Sequence, residues 1–135
     1  HGGGTNHRMG LYDMAMIKDN HIKMAGGIAK AVEQVRARIA KGIKIEVETT
    51  NLDEVHQAIE AGADIIMLDN MDNNTMTEAV SIIKAANKGI KTEASGNMNI
   101  PRLKEVAATG VDYISVGALT HTVKGMDISM NITIE

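Results

Sequence analysis

The sequence has no cysteine, no phenylalanine and no tryptophan, and it holds two tyrosines and one proline. Without cysteine there is no disulfide framework and no thiolate metal site. Without the large aromatics, a core has to be assembled from Ile, Val, Leu and Met. The ten methionines suit that task, because an unbranched thioether fills irregular gaps. No apolar run approaches the ~20 residues needed to span a bilayer, and the N-terminus lacks a signal-peptide pattern. A soluble, cytoplasmic protein without a membrane partner is the expectation. The formal net charge is −3, with basic residues scattered along the chain, which argues against a nucleic-acid partner.

What is present is enough for one modest domain and too little for two: 135 residues, 44% of them hydrophobic. The sequence starts at His1 without an initiator Met and reads as part of a longer protein, with residues 1–135 forming a single domain portion. Short apolar runs alternate with amphipathic stretches. MAMI (14–17), IKIEV (43–47), DIIML (64–68), IKTEA (90–94) and DYISV (112–116) read as strands buried on both faces. Ile28, Ala31, Val32, Val35 and Ile39 have the spacing of a helix over 26–41 that stops at Gly42. Asn51 with Glu54, and Thr75 with Glu78, have capping-box spacing. Asn99 can cap a helix carrying Pro101 in its first turn. Residues 128–134 alternate apolar and polar positions, as a half-exposed closing strand would.

Strand–helix alternation with short connections predicts a parallel sheet curled one way by right-handed crossovers. A full (β/α)₈ barrel takes roughly 250 residues. The expected fold class is therefore α/β: a partial (β/α) barrel of about five βα-type strands plus the C-terminal closing strand. An open doubly wound sheet is the other α/β option; polar residues at nearly every strand end favour the barrel. AGADIIML (61–68) and TGVDYISV (109–116) share G-x-D-x-I, an echo that duplicated βα units would produce.

In a barrel the C-terminal strand ends form the active face. Here they read Lys18, Glu48, Asp69, Ser95 and Gly117. Glu48 and Asp69 would stand on adjacent strands, able to bind a diol such as ribose or to hold Mg²⁺ largely through water; each is otherwise an ordinary strand-end acid, with turn or capping duty open to Asp69. ASGN (94–97) and SVGALTH (115–121) follow the last two strands, where barrels often bind phosphate. Gly96 and Gly117 would let backbone N–H groups approach an oxyanion, with His121 as a further donor, or serve simply as turn glycines. His7, Arg8 and Lys18 place two cations and an imidazole near the N-terminus, suited to a small dicarboxylate; surface solubility is the plainer role for such a cluster. His56, within a surface helix, and His21, in a connecting loop, read as structural.

Together these segments resemble quinolinate phosphoribosyltransferases, the decarboxylating enzymes that make nicotinate mononucleotide. The residues that carry the resemblance are GGGTNHRMGLYD (2–13), IKDNHI (17–22), EVE (46–48), IIMLDNM (65–71), EASGN (93–97) and TGVDYISVGALTH (109–121), with DISM (127–130) fitting the closing strand. The resemblance implies that His7, Arg8 and Lys18 bind the two carboxylates of quinolinate. It implies that Glu48 and Asp69 face the ribose and Mg²⁺ of phosphoribosyl pyrophosphate. It places the 5′-phosphate on Ser95, Gly96 and Asn97 and on Val116, Gly117 and Ala118, with His121 close by. The implied chemistry is attack of the ring nitrogen on C1 of ribose, departure of pyrophosphate, then loss of carbon dioxide. Lys18, Glu48 and Asp69 are the residues expected to act in that step.

The family also carries an N-terminal α/β domain and an Arg-Lys-Thr-x-Pro-Gly strand segment, neither of which is found in these residues, and a neighbouring subunit closes its site. A homo-oligomer is therefore expected, and the 135 residues by themselves are expected to be nearly inactive. Asn97 stands where the family's phosphate loop often has a second glycine; Asn tolerates left-handed backbone better than most residues. Two other readings stay open: a related phosphoribosyltransferase acting on another small acid, and a half-barrel fragment that serves only as a folding or self-association unit.

Overall fold

The computed structural model describes residues 3–10, 12–121 and 125. Five strands run in the order β1 (Met14–Ile17), β2 (Lys44–Thr49), β3 (Ile65–Asp69), β4 (Lys91–Ser95) and β5 (Tyr113–Ile114). Every pair is parallel, and spatial order equals chain order. This is the arrangement that successive right-handed βα units generate. The sheet is not closed: among the described residues β1 and β5 each have one strand neighbour. The expected partial barrel is therefore found as an open, consecutively wound sheet. The proposed closing strand over 128–134 lies outside the described residues.

Among the described residues six helices complete the order: α1 (Asp19–Ala25), α2 (Ile28–Arg36), α3 (Leu52–Ala61), α4 (Asn73–Ala85), α5 (Ile100–Ala108) and α6 (Ala118–His121). The core lies between the sheet and these helices. Ile17, Ile45, Val47, Ile66, Leu68 and Ala94 point to it from the strands and meet Ile28, Val32, Val55, Met76, Val80 and Val106 from the helices. Because side chains alternate along a strand, the residues between them face the other way. Met16, Glu46, Glu48, Met67, Asp69, Glu93 and Ser95 thus share the opposite face, aligned by the registers Met16 with Glu46, Glu48 with Met67, Met67 with Glu93, and Asp69 with Ser95. In a barrel this face is the interior. Among the described residues no helix is long and apolar enough to cross a membrane.

Several local expectations are corrected. His21 does not lie in a loop but in the first turn of α1, where its Nδ1 accepts the Lys18 backbone N–H at 3.1 Å. The helix expected over 26–41 ends at Arg36. There the Arg36 guanidinium reaches Ile43 O, Gly62 O and Asp64, and the N–H groups of Arg38 and Ile39 both bond Val35 O, so the helix closes in a tight final turn. Thr75 and Glu78 do not form a capping box; Asp72 caps α4 by accepting the N–H groups of Asn74 and Thr75. Asn51 does cap α3, but Glu54 reaches back one residue further than expected, to the Thr50 N–H at 2.7 Å. Asn99 caps α5 as the sequence suggests. The second strand runs on through Glu48 to Thr49, and the fifth shortens to two residues.

Candidate active site

The acids of the concave face do not all sit at its rim. Glu48 and Asp69 are half-buried near the C-terminal ends of β2 and β3. Burial first, then the negative charge of Asp69, raise the Glu48 carboxyl above its ordinary value, while Lys18 pulls the other way as a nearby cation. A pair of acids that repel each other while partly desolvated is a place where a hard cation or ribose hydroxyls would relieve the strain. A cleft of about 210 Å³ adjoins Glu48, lined also by Asp19, Ile22, Lys23, Thr50 and Glu54. A larger groove of about 470 Å³, with Met16, His21, Met24 and Arg38 among its walls, lies along the open β1 edge, away from these acids.

Deeper in the same face lie two acids that the sequence reading quoted in its motifs without assigning a role. Glu46 and Glu93 are 0% and 4% exposed at the side chain, and His7 lies over both. Its Nε2 is 2.9 Å from Glu46 Oε2 and 3.4 Å from Glu93 Oε2. The other Glu93 oxygen accepts the Ser115 hydroxyl at 2.6 Å. Burial, with the neighbouring Glu93 charge, pushes the Glu46 carboxyl up to about 7, against the opposing pull of His7. The signal in the sequence was parity: an acid at every second position of E-V-E puts two carboxylates on one face of a short apolar strand.

His7 is thereby held in the middle of the face, beside β4 and Ser115. The structure brings the N-terminal segment and the last loop together through Glu93, although Ser115 follows His7 by more than a hundred residues. Arg8 is half-buried and points its guanidinium at Met14 O, a long 3.5 Å contact; Lys18 is exposed at the start of α1.

The two candidate phosphate loops differ in character. Gly96 and Asn97 both have positive φ, 91° and 51°. A side chain on Gly96 would run into the Asn70 amide. Asn70, itself at φ 54°, donates to Asp69 Oδ2 at 2.9 Å and accepts from Asn97 Nδ2 at 2.9 Å, so the acid rim and the Gly96 loop are one network. Arg102 fastens this network from below, donating to Gly96 O at 3.0 Å and Met71 O at 2.9 Å. Asn70 and Arg102 were missed from sequence because one partner of each, Asn97 and Met71, comes from another βα unit. Gly117 packs under His121: a Cβ there would stand 2.7 Å from His121 Nε2. Ser95 is half-buried at the end of β4, while Val116 and Ala118 flank Gly117 at the start of α6.

A parallel sheet wound in chain order, with acids on one face and glycine loops at its last two strand ends, defines an α/β protein built of successive βα units. Residues 1–131 match the family described as quinolinate phosphoribosyl transferase, C-terminal domain, and the chain belongs to that family. It is 50% identical over 131 residues to the probable nicotinate-nucleotide pyrophosphorylase (carboxylating) of Synechocystis, covering 97% of this chain and 44% of that one. Among solved structures it is similar to the nicotinate-nucleotide pyrophosphorylase of Francisella tularensis, at 50% identity and a TM-score of 0.84, over 91% of this chain and 42% of that chain. The NadC structure from Streptococcus pyogenes is 40% identical with a TM-score of 0.82, over 96% and 45% of the two chains. The chain thus spans less than half the length of the curated relatives it matches.

Proposed function

We propose that this chain supplies the phosphate, ribose and part of the dicarboxylate site of an enzyme that transfers phosphoribose from phosphoribosyl pyrophosphate to quinolinate, with decarboxylation to nicotinate mononucleotide. The observation that supports this reading is that one face of the sheet carries the His7 imidazole, the Glu48–Asp69 acid pair and, tied to Asp69 through Asn70, the Gly96 loop. These are the groups that a pyridine dicarboxylate, a ribose and a 5′-phosphate call for, in that order.

The division of labour follows from charge. His7, Arg8 and Lys18 take the two carboxylates of quinolinate and orient its ring nitrogen toward C1 of the ribose. Ser95, Gly96 and Asn97, with Val116, Gly117, Ala118 and His121, hold the 5′-phosphate through backbone and side-chain donors. Glu48 and Asp69 bind the ribose hydroxyls and, through water, Mg²⁺; their mutual repulsion and partial burial fit a divalent cation. When bound, that ion would neutralise the departing pyrophosphate. The ring nitrogen forms the new bond to C1 as the bond from C1 to pyrophosphate breaks. The adjacent carboxylate then leaves as carbon dioxide, and the ring carbon takes up a proton. The protein's part is positioning and electrostatics, with no covalent nucleophile. We also read the full-length protein as a cytoplasmic homo-oligomer, as the family resemblance implies.

Calorimetry on the full-length protein tests the assignment. Arg8→Ala is expected to weaken quinolinate binding by about tenfold or more, the order of a lost charged hydrogen bond, and to leave phosphoribosyl pyrophosphate binding nearly unchanged. Equal loss of both ligands would remove Arg8 from the dicarboxylate site.

A further inference from the structure

Glu46 and Glu93 have no part in the chemistry above, yet they are the most deeply buried acids among the described residues. Burying a carboxylate is costly unless it is paired. Glu46 Oε1 has no hydrogen-bond partner among the described residues. An isosteric amide or an apolar side chain would serve packing better, so stability does not account for the acids. What they share is His7 Nε2, 2.9 Å from one and 3.4 Å from the other. A carboxylate acceptor at Nε2 keeps a proton on that nitrogen. Nδ1 is then the nitrogen left to meet a ligand. In the doubly protonated ring both nitrogens donate. Only that form can donate to a ligand carboxylate through Nδ1 while bonding Glu46 through Nε2.

We propose that Glu46 and Glu93 are positioning residues that hold His7 by Nε2 and present Nδ1 to a carboxylate of the bound pyridine dicarboxylate, with Ser115 locking Glu93 beside the loop that begins at Val116. The inference rests on the function proposed above for its ligand, but its geometry stands apart from it. The Ser115 hydroxyl bond of 2.6 Å to Glu93 adds a consequence. Glu93, in ion-pair reach of His7 at 3.4 Å, is hydrogen-bonded to the residue preceding the proposed phosphate loop, so the two ends of the site meet at one carboxyl group. The three donor atoms also lie within 4.8 Å of one another, a spacing open to a cation. The imidazole reading is preferred because the Glu46–His7 contact is already at hydrogen-bond length, and the test below distinguishes the two.

The experiment uses the full-length protein. In its ¹⁵N spectrum without ligand, His7 is expected to be protonated at Nε2, with shifts unchanged by a chelator. Glu46→Gln and Glu93→Gln are each expected to weaken quinolinate binding by about tenfold, the order of a charge-assisted hydrogen bond, while phosphoribosyl pyrophosphate binding stays within roughly twofold. On a His7→Ala background the same substitutions should add no further loss, because they act through the ring. A His7 protonated only at Nδ1, chelator-sensitive shifts, additive losses, or equal weakening of both ligands would each overturn the proposal. Wild-type protein that binds no quinolinate would sink the function above and leave the His7 spectrum as a separate test of the geometry.

Discussion

At the scale of single residues, the site is governed by carboxyl groups whose proton affinity the fold has raised. Glu48 sits above its ordinary value because it is partly buried and faces Asp69. It therefore ionises only at higher pH than a free glutamate, and cation affinity should climb as pH rises through that raised value. Magnesium titrations of the phosphoribosyl pyrophosphate complex between pH 5 and 8 are expected to show a steeper rise for wild type than for Glu48→Gln; parallel curves would separate Glu48 from the cation. Glu46, pushed up to about 7, gives a stability prediction of defined sign. An acid held more protonated in the folded state costs stability when ionised. The cost is complete above about pH 7, shrinks as pH falls, and is gone below the unfolded value of 4.5. Glu46→Gln should therefore stabilise the fold at pH 8 by about 1–3 kcal/mol and bring no gain at pH 4, as read by denaturant unfolding. His7, Arg8, Glu48 and Asp69 were visible in the sequence as polar groups next to apolar runs. Glu46 and Glu93 were harder to read, since nothing in a lone strand says which face will carry the partner.

At the scale of elements, the repeated G-x-D-x-I proves to be a structural device. Asp64 and Asp112 each precede a strand and perform the same two tasks. Their backbone N–H groups donate to Ile45 O and Thr92 O, and their carboxylates accept the N–H of those same residues, at 2.8 and 2.9 Å. Each acid therefore pins the start of its own strand to the start of the previous one, at the end of the sheet opposite the Glu48–Asp69 rim. Each also holds a cation, Arg36 in one case and Lys91 in the other. Burial works against the charge on Asp112, but Lys91 and the Thr92 donors outweigh it and hold its carboxyl below the ordinary range. Its stabilisation is thus present at neutral pH and lost as the solution becomes acid. Asp112→Ala should destabilise the chain by about 1–2 kcal/mol, the lower part of the range for charged hydrogen bonds because the pair is partly exposed. A change below 0.5 kcal/mol in thermal or denaturant unfolding would contradict this. Apolar runs and caps located the five described strands and the starts of α3 and α5 to within a residue or two. The misses at α1, the end of α2 and the start of α4 share one cause: the contacts that decide them, from His21, Arg36 and Asp72, are made by side chains whose helix-end roles compete with other polar neighbours in the sequence.

At the scale of the whole molecule, winding the βα units in order places residues distant in sequence on one face. Glu93 lies between His7 and Ser115, and Asn70 lies between Asp69 and Asn97. Those two junctions join the N-terminal segment to Ser115 and the Asp69 rim to the Gly96 loop on one face of the sheet. The order of the strands was legible from alternation alone; the junctions were not, because each depends on register between units. The central claim concerns what that surface binds and does. Full-length protein should be given magnesium, phosphoribosyl pyrophosphate and quinolinate labelled at the carboxylate adjacent to the ring nitrogen. We predict one labelled carbon dioxide and one pyrophosphate released for each nicotinate mononucleotide formed. A nucleotide product that keeps the label, or no turnover of quinolinate where another small acid is accepted, would contradict the account.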